Sequence, residues 1–341
     1  MLLCQSSELG RSDEFLVPLT LVGLVTLLVL ASEIGGVSLA LQLATGIAFP
    51  WWAPAVALAV WLLLWKGTFG VIEYGVSLLG LVTIAFVVAA VRLRPEITEL
   101  GRGLLPSLPQ HEPAHYWYIA VSILGASITP YLFYYFYSSG AVEDGWNEGH
   151  LRLNRVVATL GTSFGGGLAA AVLVVAALVL APRGIAIESC EQVALILTTS
   201  LGRAGFWLFV ASLGIACFGA ALEVTLAVAY MVAQGLGWNW GENVKPRHAA
   251  RFCATYTVVV ALAMLIVITG VDPLKLTLLA MALTAATLPV AVVPFLFLMN
   301  DPFYVREHCN GWIGNGVVLA IILLASVLAV VSIPLEIMGG S

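Results

Sequence analysis

Long apolar stretches separated by short polar segments dominate the pattern of hydrophobic and polar positions along this chain. Several stretches exceed the ~20 residues that an α-helix needs to cross the hydrocarbon core of a bilayer. None shows the alternation over ~10 residues that is typical of a membrane β-strand. The pattern therefore predicts an all-α, multi-pass membrane protein with about nine transmembrane helices. The predicted spans cover residues 15–43, 51–65, 74–91, 116–137, 156–180, 206–236, 253–271, 274–299 and 312–333.

The composition supports this class and excludes others. Hydrophobic residues make up 61% of the chain and charged residues 10%, and the mean hydropathy is +1.02. Soluble domains carry roughly 25% charged residues. The net charge of −5 argues against a nucleic-acid partner. The high hydrophobicity makes the lipid bilayer the expected surrounding. No nucleophile and base recur at fixed spacing within one span, which argues against an enzyme.

The loops leave no room for a separate soluble domain, so residues 1–341 are expected to form one transmembrane domain. The first apolar stretch is too long for the core of a signal peptide and is expected to be retained. These features predict an integral protein of the plasma (inner) membrane. The cysteines show no CxxC or CxxH spacing, so we expect packing roles and no bound cofactor. They are Cys4, Cys190, Cys217, Cys253 and Cys309.

One predicted span, within Gly125–Trp146, contains a proline and small polar residues at membrane depth. Pro130 cannot donate a backbone hydrogen bond, so the freed carbonyls must face protein or a water-filled cavity. Transporters use such broken helices to form ion sites. The Thr129 hydroxyl and the carbonyls of Gly125 and Ala126 offer neutral, hard oxygens, which suit Mg²⁺, Mn²⁺ or Na⁺. We expect a metal site formed by these three residues.

Three further residues within the spans are candidates for an ion or proton pathway. Glu33 and Glu223 are ionisable residues in apolar surroundings, where a carboxylate is costly unless it faces a cavity or a partner. Each either relays a cation or proton, or is a protonated acid bonded to a neighbouring helix. Tyr131 begins a tyrosine-rich run that either packs between helices or forms an aromatic cage for an organic cation.

Several motifs resemble the NRAMP family of divalent metal cation transporters, the natural-resistance-associated macrophage proteins. SEIGGVSLALQL is similar to the acidic third helix of the family, SILGASITPYLFYYFYSSGAVEDGW to its broken sixth helix, and LTAATLPVAVVPFLFLMND to its tenth. The resemblance extends from Glu33 to the carboxyl end. It implies a leucine-transporter-like fold, in which inverted repeats of five helices place the metal between the first and sixth helices.

The chain departs from the family pattern at positions that matter for chemistry. The binding-site methionine before the proline is replaced by Thr129, which should weaken the preference for soft metals and favour Mg²⁺ or Mn²⁺. Tyr131 and Phe136 stand where many members carry histidines, so a histidine proton relay is not expected. The family's Asp-Pro-Gly-Asn segment has no counterpart, and we therefore expect the first two helices to be missing.

The tenth-helix motif carries two hydroxyls where family members often have amides. Thr284 and Thr287 either contact a partly hydrated ion through water or donate to carbonyls of their own helix.

The resemblance implies that the chain transports divalent metal cations, with the metal as substrate rather than cofactor. Two alternatives stay open at this point. One is a truncated or non-transporting membrane subunit, and the other is a carrier of amino acids or organic cations with a related fold. The sequence predicts neither the oligomeric state, nor the coupling ion, nor the direction of transport.

Overall fold

The computed structural model describes residues 12–66, 75, 78, 80–103, 113–127, 129–131, 141–143, 145–184, 187, 189–242, 244 and 246–339. All candidate site residues fall within these ranges. Phe136 and the rest of the tyrosine-rich run after Tyr131 lie outside them.

Helices form nearly all of the described chain, and no strand occurs within those ranges. The prediction of an all-α protein is thus confirmed. The helices are α1 (Ser12–Thr45), α2 (Phe49–Lys66), α3 (Ile84–Arg92), α4 (Ile97–Gly103), α5 (Pro113–Ser127), α6 (Leu151–Val179), α7 (Cys190–Leu201), α8 (Arg203–Gly235), α9 (Ala250–Ile268), α10 (Pro273–Leu298) and α11 (Trp312–Gly339). Short helical turns lie at Leu81–Thr83, Ala141–Glu143, Glu148–His150, Ala181–Arg183, Pro302–Val305 and Arg306–His308.

Six helical segments of the described chain are long and apolar enough to cross a membrane. They belong to α1, α2, α6, α8, α9 and α10. The remaining predicted spans fall on α3, α5 and α11, of which α3 and α5 are only 9 and 15 residues long. The count of nine spans therefore stays a prediction.

Helix α1 lies at the centre of the helix bundle and packs against α2, α8, α9 and α10. Val29, Leu30 and Ile34 on α1 are almost completely buried. They share one apolar cluster with Leu222 of α8 and Val260 of α9. A helix that is apolar on all sides is expected in such a buried position. The central place of α1 puts Glu33, one turn from Leu30, at the meeting point of several helices.

Glycines in the left-handed region end the two most central helices. Gly46 follows α1 with φ 77°, and its N–H donates to the Gln42 carbonyl at 2.7 Å. Gly237 follows α8 with φ 65°, and the next residue, Trp238, donates back to the Ala233 carbonyl at 2.7 Å. These bonds satisfy carbonyls that would otherwise have no partner at the helix end.

Candidate metal site at the helix break

The predicted interruption is present between α5 and Pro130. Helix α5 ends at Ser127, Thr129 is not helical, and Pro130 and Tyr131 are again in helical conformation. Pro130 has no N–H, so it cannot supply the usual helical bond to the carbonyl of Ala126. A carbonyl oxygen at this point is available to another donor or to a cation. Ala126 itself is exposed.

Gly125 fixes the position of the break against α10. A Cβ atom added at Gly125 would lie 2.1 Å from the Met281 carbonyl oxygen and 3.0 Å from the Ala285 nitrogen. The two backbones thus touch, which only glycine permits at this depth. Pro289, one turn further along α10, cannot donate to the Ala285 carbonyl. Two proline-interrupted hydrogen-bond ladders therefore lie close together.

The Thr129 hydroxyl is buried at the break. Its side chain is 8% exposed, and Oγ1 has no hydrogen-bond partner in the part of the chain that the structure describes. Tyr131 lies close enough to interact with it, but the geometry falls short of a hydrogen bond. Most buried polar groups in proteins are hydrogen-bonded, and an exception requires an explanation. A bound cation or water molecule that contacts the hydroxyl is one such explanation.

Glu33 on α1 and Glu223 on α8 have similar surroundings on two helices that pack against each other. Within Val29–Ala40 of α1, every residue except Glu33 is buried, and Glu33 is partly exposed. Within Ala221–Met231 of α8, every residue except Glu223 is buried, and Glu223 is likewise partly exposed. Within these two segments, the exterior thus reaches only Glu33 and Glu223. The two carboxylates also lie close enough to each other to interact electrostatically.

Tyr131 connects the break to both acids. Its hydroxyl lies near enough to Glu33 and Glu223 to experience their charge. Its ring packs against buried residues that come from α1, α8 and α9. The structure therefore brings Thr129, Tyr131, Glu33 and Glu223 into one region, although they are up to 190 positions apart in the sequence. The packing of its ring agrees with the first of the two alternatives for Tyr131.

The two α10 threonines donate to their own helix. Thr284 Oγ1 donates to the Ala280 carbonyl at 2.7 Å, and Thr287 Oγ1 donates to the Thr284 carbonyl at 3.0 Å. Both side chains are buried. This is the second of the two expected alternatives. An oxygen that donates in this way retains lone pairs, so contact with a hydrated ion stays a prediction.

One polar cluster was not predicted from the sequence. The Tyr230 hydroxyl donates to Glu143 Oε2 and accepts from the Glu242 N–H at 3.0 Å. The ring of Tyr230 stacks edge-on against Phe252 at 5.0 Å. No sequence signal pointed to Glu143 as the partner of Tyr230, because the contact joins segments 87 positions apart.

Comparison with known proteins identifies the family. The model of the natural resistance-associated macrophage protein-like (Nramp) family matches residues 7–334. The chain belongs to the Nramp family. Nramp proteins are integral membrane transporters, and this agrees with the six apolar helices described above. The resemblance predicted from three helical motifs is therefore confirmed.

Two curated relatives are named divalent metal cation transporter MntH. The protein of Caldanaerobacter subterraneus subsp. tengcongensis is 25% identical over 244 residues, which cover 69% of this chain and 54% of the relative. The protein of Deinococcus radiodurans is 26% identical over 310 residues, which cover 86% of this chain and 67% of the relative. This Nramp chain thus spans about half the length of the first relative.

A solved structure confirms the Nramp fold. The manganese transporter of Eremococcus coleocola, crystallised in complex with an aromatic bis-isothiourea substituted compound, superposes with a TM-score of 0.73. It is 17% identical, and the match covers 97% of this chain and 74% of that chain. At this identity the likeness concerns the fold alone. The inverted-repeat arrangement and the absence of two helices stay predictions.

Proposed function

We propose that this Nramp chain carries divalent metal cations across a membrane, along a route between α1 and α8 that passes the break before Pro130. The observation that carries this proposal is the exposure pattern of the two acids. Each is the only accessible residue within a buried segment of its helix. A carboxylate at membrane depth is costly unless it faces a cavity or a partner, so an accessible pair supports an ion pathway.

The site chemistry favours hard cations. Thr129 supplies a hydroxyl, and Gly125 and Ala126 supply carbonyls, all of which are oxygen ligands. Mg²⁺ and Mn²⁺ prefer oxygen, whereas a thioether would favour softer metals. The relatives named above are described as divalent metal cation or manganese transporters. We therefore propose Mn²⁺ or Mg²⁺ as the substrate, with Thr129 as its ligand at the break.

The carboxylates supply the charge that neutral oxygens lack. Dehydrating a divalent ion costs far more than a few carbonyl dipoles return, so a negative group nearby is needed. Glu33 and Glu223 lie together near Tyr131, next to the break. We propose that they stabilise the cation along its route, while Thr284 and Thr287 contact its water shell. The metal is the substrate, and we propose neither a resident cofactor nor an enzymatic activity.

The remaining assignments follow from this role. We propose that residues 1–341 act as one transmembrane domain in the plasma (inner) membrane. Its partners are the transported ion and the surrounding lipid.

A flux assay with paired threonine variants tests the proposal. The purified chain is reconstituted into proteoliposomes, and Mn²⁺ uptake is followed with an entrapped indicator. Thr129→Ala should lower uptake by about tenfold, because the hydroxyl at the break is lost. Thr225→Ala is the matched control, since its hydroxyl is also buried but donates to the Ala221 carbonyl at 2.6 Å.

Two results would contradict the proposal. If Thr129→Ala transports as fast as the wild type, Thr129 is not a ligand. If the wild type shows no saturable uptake of any divalent ion, the chain is a non-transporting membrane protein. Uptake of an amino acid or an organic cation instead would favour the alternative carrier function.

A further inference from the structure

We propose that Cys217 is a positioning residue for Glu33, and that Gly36 provides the space that this contact requires. The inference rests on the proposed transport function and deepens it by adding a residue that controls the pathway acid. None of the sequence motifs suggested a role for this cysteine. The argument rests on two contacts between α1 and α8 and on one observation about access to them.

The first contact joins the Cys217 thiol on α8 and the Glu33 carboxylate on α1, which lie close enough for the thiol to donate a hydrogen bond to the carboxylate. A thiol is a weak donor, but a charged acceptor in an apolar environment strengthens the bond. Glu33 has a flexible side chain with three rotatable bonds, so a fixed donor limits the directions that its carboxylate can take. Cys217 takes part in no disulfide bond within the described residues.

The second contact explains how the thiol reaches the acid. Gly36 lies one helical turn after Glu33, on the same face of α1. A Cβ atom added at Gly36 would lie 2.6 Å from Cys217 Sγ and 3.3 Å from Cys217 Cβ. The sulfur therefore occupies the volume that any other residue would fill. A rotation of the cysteine side chain would relieve the contact with Sγ only by moving the sulfur away, and the contact with Cys217 Cβ would stay tight.

The third observation concerns access. Cys217 and Glu33 are both partly exposed, although Cys217 also packs against the central apolar cluster. A cavity of about 380 Å³ between α1 and α8 is lined by Val37 and Phe218, the residues that follow Gly36 and Cys217. The partial exposure of Cys217 lets a small reagent reach the thiol, and the cavity lies beside the contact between Cys217 and Glu33.

The transport test uses substitutions at both ends of the contact. Cys217→Ala should lower the maximal rate of Mn²⁺ uptake by about tenfold and leave KM within about twofold, because Glu33 acts on the route and not as the ligand at the break. Cys217→Ser keeps a donor and should retain most of the rate. Gly36→Ala should lower the rate as Cys217→Ala does. Gly23→Ala is the matched control on α1, because its added Cβ meets nothing within 4 Å.

A double variant tests whether the thiol acts through the acid. In a Glu33→Gln background, Cys217→Ala should have little further effect, since residues that share one interaction are not additive. Independent losses in the double variant would overturn the proposal. So would a Cys217→Ser variant that is as slow as Cys217→Ala, because that result indicates packing alone.

A labelling experiment tests the contact without transport. The rate of N-ethylmaleimide addition to Cys217 is measured in membranes by mass spectrometry of the peptide. Glu33→Gln should raise this rate about threefold or more, because a nearby carboxylate disfavours the reactive thiolate. Cys309, which is exposed, serves as the internal control and should not change. An unchanged Cys217 rate overturns the contact. If the wild type transports no metal, the proposed function fails and the labelling result alone decides this inference.

Discussion

Substitution of Gly125 by alanine tests whether the break is held in place by backbone contact with α10. The new Cβ atom would lie 2.1 Å from the Met281 carbonyl oxygen, whereas an ordinary contact begins at 3.4 Å. The helices must separate by about 1.3 Å, and neither partner is a flexible side chain. Overpacking of this kind costs about 1–3 kcal/mol, and a backbone clash belongs at the upper end of that range.

The intrinsic helix preference of alanine must be subtracted from this cost. Alanine stabilises a helix interior by up to about 1 kcal/mol relative to glycine. Gly23→Ala in α1 gains the same preference without a clash, because its added Cβ has open space. The difference between the two variants, about 3 kcal/mol, therefore isolates the clash. At roughly 2 °C per kcal/mol, Gly125→Ala should melt about 6 °C below Gly23→Ala.

Thermal unfolding in detergent, followed by the fluorescence of the tryptophans, measures this difference. Uptake in proteoliposomes should fall as well, because α5 carries the break. Equal melting temperatures for Gly125→Ala and Gly23→Ala would refute the reasoning that backbone contact positions the site.

The other predictions concern the candidate ligands and the unexpected polar cluster. Thr129→Met should shift the ratio of Cd²⁺ to Mg²⁺ uptake by about tenfold towards Cd²⁺, or ~1.4 kcal/mol, because a thioether replaces a hydroxyl; an unchanged ratio argues against Thr129 as a ligand. Thr284→Val should lower uptake by about two- to threefold, because its hydroxyl donates within its own helix and meets the ion only through water; unchanged uptake would show that Thr284 does not contact the water shell. Tyr230→Phe should cost about 1–3 kcal/mol of unfolding free energy by removing the donor to Glu143, whereas the exposed Tyr304 should tolerate the same change; equal stability of both variants would show that the Glu143 contact contributes nothing.

The sequence predicted the helical class and the break because both follow from local chemistry. Apolar runs of membrane length leave the backbone no alternative to helices. Pro130 lacks an N–H wherever the chain places it, so the interruption after Ser127 was predictable. Glu33 and Glu223 were predictable as candidates, since each is an acid within an apolar run.

The contacts between helices were not predictable in the same way. Gly125 was proposed for its carbonyl, and nothing in the sequence shows that Met281 lies against it. The pairing of Cys217 with Gly36 and Glu33 depends on the rotation of two helices about their axes. Helix α7, which lies outside every predicted span, buries Ile196 and Leu197 against its neighbours. Such contacts depend on tertiary packing, which a pattern along one helix does not specify.

The most direct test of the central claim is Mn²⁺ uptake by reconstituted residues 1–341, compared with Glu33→Gln and Glu223→Gln variants of matched melting temperature. The proposed route predicts saturable uptake by the wild type and a loss of about tenfold or more in each single variant. Because both acids act on one route, the loss in the double variant should be smaller than the product of the two single losses. Full uptake by both variants, with Thr129→Ala also unaffected, would contradict a route between α1 and α8.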